Sequence, residues 1–280
     1  MPNNLYIITG ANTGIGKAIA HGLAERGLPI LMVCRSFEKG QRAQAEIQAA
    51  TGDASIDLLI GDLSCNESVR ALADAILARR EGIAALIHNA GIWQRKLQFN
   101  PDGIELTFAI NHLAPFLLTH LLLDRLIESA PSRVVNVNAG LYTLGRLDLE
   151  RTPRGKDFSP LRTYPTSKLA NVLFTRQMAR RLAGSNVTIN AVHPGVIRTN
   201  LGVLPGGNSR MARLFKFWMK SPQHGAQGPI FLATSPQVAA VSGAFYDELK
   251  PKEYTPAALD DKLSEGLWHL SEQVTGLVGS

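Results

Sequence analysis

A doubly wound α/β fold on a parallel sheet is what this sequence predicts, on three observations. Short apolar runs alternate with helix-length segments along the 280 residues. The runs are continuous rather than alternately polar and apolar, as in strands covered on both faces. A glycine-rich turn joins the first run to the first helix, where such folds keep a ligand site.

The elements follow in order. "LYIIT" (5–9) leads into a helix from about Ile15 to Arg26. "PILMV" (29–33) precedes "FEKGQRAQAEIQAA", and "IDLLI" (56–60) precedes "ESVRALADAILARR". "AALIH" (84–88) comes before a long helical region from Gly103 to Ser129. "RVVNV" (133–137) is followed by a polar insertion and a helix from Pro165 to about Leu182, and "VTINAV" (187–192) and "GAFYD" (243–247) complete seven strands. Strands separated by helices pair in parallel through right-handed crossovers, which puts helices on both faces. Without an internal repeat or linker, residues 1–280 are expected to form one domain.

Composition narrows the function classes. A hydrophobic fraction of 45% and a mean hydropathy of +0.01 suit a globular chain. No apolar run reaches the roughly 18 residues of a membrane span, and "FLLTHLLLDRLI" is interrupted by His120, Asp124 and Arg125. The start lacks a basic segment and a cleavage site, and Cys34 and Cys65 suit a reducing compartment, so a cytoplasmic address is expected. The net charge of +6 comes from Lys and Arg spread among acids, not from basic blocks, so nucleic acid is not the expected partner. The seven histidines show no metal-ligand spacing, and no metal site is expected.

"TGANTGIG" (9–16) is the strongest local signal. Gly10, Gly14 and Gly16 allow a tight turn and close backbone approach, while Asn12, Thr13 and Ile15 complete a loop whose helix N–H groups face a pyrophosphate. Dinucleotide folds that take NAD place a carboxylate at the end of strand two. Here that end reads Cys34-Arg35-Ser36, with Arg35 19 residues beyond Gly16. A guanidinium matches a 2′-phosphate, so the expected cofactor is NADP(H).

Tyr164-x-x-x-Lys168 places a phenol and an ammonium on one helix face. A nearby cation favours tyrosinate and would lower the tyrosine pKa toward working pH. Pro165 is tolerable there, since a first turn accepts proline.

With Asp62-Leu63 after strand three, Asn89-Ala90-Gly91 after strand four, and Pro194-Gly195 with Thr199 after strand six, these motifs resemble the short-chain dehydrogenase/reductase family over roughly residues 5–200. "TGANTGIGK", "NHLAPF" and "SKLANVLFTR" look most like its retinol-dehydrogenase-like branch. The resemblance implies a Rossmann fold and an oxidoreductase. It implies that Asp62 and Leu63 border the adenine, that Asn89, Ala90 and Gly91 shape the cofactor cleft, and that Pro194, Gly195, Val196 and Thr199 contact the nicotinamide end. It also implies that Tyr164 is the acid/base, that Lys168 lowers its pKa and holds the ribose, and that Asn111 supports a proton-relay water. Family members often pair through the helices bearing Asn111 and Tyr164, so a homo-oligomer is plausible.

One departure stands out. The family's catalytic serine falls on Ala139, 25 residues before Tyr164, with Asn138 in place of the preceding serine. Losing such a donor typically costs on the order of 10²–10³ in rate. Three readings stay open: a substitute donor (the Asn138 amide, the Tyr142 or Thr143 hydroxyl, or water); reduction of a conjugated C=C or an imine; or an NADP-binding scaffold or non-redox catalyst.

Beyond Thr199, Met211, Leu214, Phe215 and Trp218 form an apolar stripe beside Arg210, Arg213, Lys216 and Lys220. A lid over about 200–222, hinged at Gly206-Gly207, is the expectation. It implies a hydrophobic substrate held by Asn138, Ala139, Tyr142, Phe215 and Trp218, with a plain core helix or weak membrane docking as the other readings of the same segment.

Overall fold

The computed structural model describes residues 4–52, 55–197 and 220–277. Its sheet has strands β1 (Leu5–Thr9), β2 (Ile30–Cys34), β3 (Ile56–Ile60), β4 (Ile83–His88), β5 (Ser132–Val137), β6 (Val187–His193), β7 (Phe245–Asp247) and β8 (Lys250–Lys252). They lie in the order 3-2-1-4-5-6-7-8. The first seven pair in parallel, and β8 closes the edge antiparallel to β7. The sequence predicts seven strands; the eighth is a three-residue return containing Pro251, too short and polar to show as an apolar run. Chain order reverses between β1 and β4, and that switch point opens a crevice at the strands' carboxyl ends.

Neighbouring side chains on a strand point to opposite faces, and both faces are apolar here. Ile8, Ile30, Met32 and Ile87 pack under α1 (Gly14–Ala24), α2 (Phe37–Thr51) and a helix formed by Pro222–Thr234. Ile7, Leu31, Leu86 and Val134 pack under α3 (Asn66–Leu77) and the helical stretch between residues 106 and 128. At roughly 25 cal/mol per Å² of apolar surface removed from water, these two layers are the main stabilising term.

The predicted continuous helix over 103–129 is broken. It comprises α4 (Leu106–Phe108), a π-helical turn (Ala109–Leu113), α5 (Ala114–Leu121) and α6 (Leu123–Glu128). Pro115 has no N–H to give the Asn111 carbonyl, and the chain widens so that Ala114 N–H reaches Ala109 O instead. The break places Asn111 behind the Gly91–Ile92 wall of the crevice.

The helix that opens the site, α7, runs Thr163–Arg181. Two helices outside the sequence prediction complete the layers: α8 (Pro222–Thr234), packed on α1, and α9 (Asp261–Thr275), which seats Trp268 against Phe116 and Phe174. Among the described residues no helix is long and apolar enough to cross a membrane.

Candidate active site

The crevice is a cavity of about 920 Å³ running from the glycine turn to the start of α7. At one end, Gly10 and Gly14 take left-handed φ of +67° and +56°. A Cβ on Gly16 would lie 2.3 Å from Gly10 O and 2.4 Å from Asn89 Nδ2, so only glycine lets α1 start against the turn. Thr13 precedes α1 without a side-chain cap, and its first turn holds no acid, which leaves N–H groups free for an anion. Asn89 staples the cradle, its Nδ2 donating to Thr9 O at 2.9 Å and Gly10 O at 3.3 Å. Thr9 Oγ1 in turn accepts from the Asn89 and Ala90 N–H groups, both at 3.1 Å. Asn12, Thr13, Ile15 and Ala90 line this end.

Arg35 stands exposed at the end of β2 and borders the same cavity, as do Asp62 and Leu63 after β3. Asp62 Oδ1 accepts from Ser64 N–H at 2.9 Å, which fixes the bend there.

Tyr164 and Lys168 sit on the first turns of α7 and line the cavity together. Lys168 Nζ donates to Val137 O at 3.1 Å and lies 5.6 Å from the centre of the Tyr164 ring, over its face. The expected lowering of the tyrosine pKa is not the dominant effect here. Burial raises Tyr164 above its ordinary value of 10.0, and burial lowers Lys168 from 10.5 to about 8. Removal of both groups from water outweighs their mutual attraction.

Asn111 holds the opposite wall. Its Oδ1 accepts from Ile92 N–H at 2.8 Å, and its Nδ2 donates to Ile92 O at 2.9 Å and Ser167 Oγ at 3.0 Å. A Cβ on Gly91 would come 3.3 Å from Asn111 Oδ1 and 3.7 Å from Lys168 Nζ, so this glycine keeps space between the two. This clamp sets the neighbouring residue, Trp93, which stacks on Tyr164 with ring centroids 4.6 Å apart and planes 7° from parallel. Trp93 Nε1 donates to Pro160 O, tying the polar insertion to the site. The sequence reading missed Trp93; an aromatic two residues past "NAG" was the available signal.

The turn after β5 contributes a wall without a free hydroxyl. Ala139 lines the cavity. Asn138 is buried; its Nδ2 donates to Lys168 O at 3.1 Å and its Oδ1 accepts from Ala139 N–H at 2.8 Å, so both ends of the amide are tied to the backbone. Tyr142, expected to touch substrate, is turned into the core by the 3₁₀ turn Gly140–Leu144 and packs on Phe245 at 4.7 Å between ring centroids. The Thr143 hydroxyl donates to Gly140 O at 3.1 Å. His193, the last residue of β6, lies against Gly140 of this turn and lines the cavity.

Pro194, Gly195 and Val196 close the far side, with Gly195 at φ +89°. Thr199, Phe215, Trp218 and all but the last three residues of the expected lid lie outside the described residues.

A glycine cradle that a Cβ would fill, free helix N–H groups and an adjoining Tyr-Lys pair fit a nicotinamide dinucleotide. The short chain dehydrogenase family model matches residues 4–203. Retinol dehydrogenase 11 of Homo sapiens is 39% identical over 277 residues, covering 99% of this chain and 87% of that protein. Retinol dehydrogenase 12 of Bos taurus is 41% identical over 273 residues, covering 98% and 86%. An uncharacterised protein from Mycobacterium Paratuberculosis superposes with a TM-score of 0.80 at 33% identity, over 98% of this chain and 93% of its own. A metagenomic short-chain oxidoreductase in complex with NADP shares the fold, with a TM-score of 0.66 at 22% identity over 90% and 99%. With the cradle, the Tyr-Lys pair and these relatives in agreement, the chain belongs to the short-chain dehydrogenase family.

Proposed function

We propose that this protein is an NADP(H)-dependent oxidoreductase acting on a carbonyl or alcohol of a hydrophobic small molecule, with Tyr164 as the acid/base. The observation that carries this reading is the convergence of Tyr164 and Lys168 on the cavity that holds the glycine cradle. When bound, the nicotinamide supplies or accepts the hydride.

The chain's own residues do the rest. Gly10, Gly14, Gly16 and the start of α1 hold the pyrophosphate, and Arg35 reads the 2′-phosphate. In reduction, Tyr164 gives its hydroxyl proton to the substrate oxygen; in oxidation it accepts one. Lys168 holds the ribose beside it and stabilises tyrosinate as the proton leaves. Asn111 fixes the Ile92–Trp93 backbone and the wall opposite Lys168. For the substrate, the chain presents Trp93 and Leu141 at the cavity. Outside the cavity lining, Leu144 and Leu161 of the insertion and Leu97 beside its Gly155 are exposed apolar residues. An apolar alcohol, as the relatives' name indicates for them, suits the walls that Trp93 and Leu141 form.

The turn carries the Tyr142 hydroxyl away from the cavity and ties the Asn138 amide to the backbone, which gives a second reading, reduction of a conjugated C=C or C=N, a specific footing. NADPH absorbance against a panel of apolar carbonyls, enones and imines separates the two. Turnover of ketones or aldehydes that Tyr164→Phe abolishes supports the first reading; consumption of enones or imines alone supports the second. Tight NADPH binding without oxidation on any compound would point to a scaffold.

A further inference from the structure

We propose that the His193 imidazole supplies, through Nε2–H, the hydrogen bond to the substrate oxygen that the turn after β5 lacks. This rests on the carbonyl/alcohol reading of the cavity and adds a catalytic residue to it.

Three observations lead there. First, His193 lines the cavity together with Asn138, Ala139, Gly140 and Tyr164. Second, the ring lies against the serine-less turn: a Cβ on Gly140 would be 3.3 Å from His193 Cδ2 and 3.4 Å from Nε2. The first of these is tighter than ordinary van der Waals contact, so glycine at 140 makes room for the ring edge where alanine at 139 has removed the hydroxyl. Third, Nδ1 is buried without a hydrogen-bond partner among the described residues.

The third observation fixes the tautomer. A neutral imidazole carries one N–H. On Nδ1 it would be a buried donor with no acceptor, which is rarer and more costly than an unpaired lone pair. The proton therefore belongs on Nε2, at the edge facing the turn. Burial lowers the His193 pKa below 6.5 against the opposing pull of Asp247 and Glu248, with Lys252 and Lys220 adding to the lowering. The ring is thus a neutral donor, able to hold an oxygen without surrendering its proton.

In the reductive direction the nicotinamide, when bound, would supply a hydride to the carbonyl carbon, leaving the C=O π pair on oxygen. That oxygen would take the Tyr164 proton, giving the alcohol and tyrosinate. His193 Nε2–H donates to the same oxygen throughout and is unchanged at the end. The role is that of an oxyanion donor aimed at developing charge.

The test compares His193→Phe, which keeps a planar ring but no donor, with His193→Gln, whose amide can put an N–H near the Nε2 position. His193→Phe is expected to lower kcat on a ketone by roughly 10²–10³, with the NADPH Kd unchanged. His193→Gln should recover at least about a tenth of wild-type kcat, since one donor is restored. Adding Ala139→Ser to His193→Phe should restore turnover, because the two sites serve one oxygen. Full turnover by His193→Phe would overturn the assignment, as would a loss accompanied by weakened NADPH binding that Ala139→Ser leaves unrepaired. Imidazole ¹⁵N spectra need no turnover: an Nε2–H tautomer supports the assignment and an Nδ1–H tautomer overturns it. Failure of the underlying site reading shows differently, as a wild type that oxidises no NADPH on any carbonyl, and it removes this role as well.

Discussion

Trp93 stacks on one face of the Tyr164 ring, with the two planes 7° from parallel. Burial is what raises the Tyr164 pKa, so the indole contributes to that rise. In Trp93→Ala, water reaches the phenol and its ionisation moves down toward the ordinary 10.0. Tyrosinate absorbance during alkaline titration, with Tyr164→Phe as the reference, reads this directly. An unchanged midpoint would show that other walls bury the ring. The lost stack should cost about 0.5–1.5 kcal/mol of stability beyond area burial.

Lys168 gives a prediction for stability in the cofactor-free protein. Its pKa is lowered from 10.5 to about 8 by burial. Below pH 8 both folded and unfolded chains hold the proton, and the fold bears the cost of a desolvated ammonium. Between pH 8 and 10.5 the unfolded chain binds more protons, so stability rises with pH. At about 1.36 kcal/mol per unit the rise approaches roughly 3 kcal/mol. Lys168→Met lacks it. Relative to wild type, the variant should lose about 2–3 kcal/mol between pH 7 and pH 10 in urea unfolding. Parallel pH dependence in the two proteins would refute the buried-charge account.

Arg35 gives a cofactor-selectivity prediction. A charge-assisted bond to a phosphate contributes about 1.5–3 kcal/mol, or roughly 10- to 100-fold in Kd. Calorimetric titration of Arg35→Ala should show that loss for NADPH and little change for NADH. Equal losses for both would mean that Arg35 does not read the 2′-phosphate.

Gly16→Ala tests the cradle. Its Cβ would meet the Gly10 backbone oxygen at 2.3 Å, and backbone cannot move aside as a flexible side chain can. Overpacking of this kind costs about 1–3 kcal/mol. The expected result is loss of NADPH fluorescence enhancement together with a lower Tm; a wild-type Kd would contradict the cradle assignment.

The sheet, the glycine turn and the Tyr-Lys pair were legible in sequence because each is local: periodicity within a strand, glycines within one turn, residues four apart on one helix. The count of 25 residues back from Tyr164 leads to Ala139, which lines the cavity. What escaped was what the tertiary structure decides. Trp93 meets Tyr164 only because Asn111 clamps Ile92 from a π turn, and that turn follows from where Pro115 falls. Tyr142 carries a hydroxyl at a suitable distance along the chain, yet the 3₁₀ turn rotates it onto Phe245. The direction of the Tyr164 pKa depended on burial, which spacing alone cannot give. Arg176, by contrast, shows that legible helix faces can still be structural: it donates to Ala258 O and sits over Tyr254, away from the cavity.

The last strand has a consequence for how copies of the chain can meet. All three residues of β8 are exposed, and Pro251 at its centre has no N–H to offer. A strand from a second molecule laid along this edge would find a missing donor flanked by the ammonium groups of Lys250 and Lys252. At the opposite border, Asp57 on β3 puts a carboxylate, paired with Arg79, along the outer rim. Both rims therefore resist sheet-to-sheet extension, the route by which exposed strands aggregate. Growth of the sheet from one molecule into the next is therefore disfavoured at both rims.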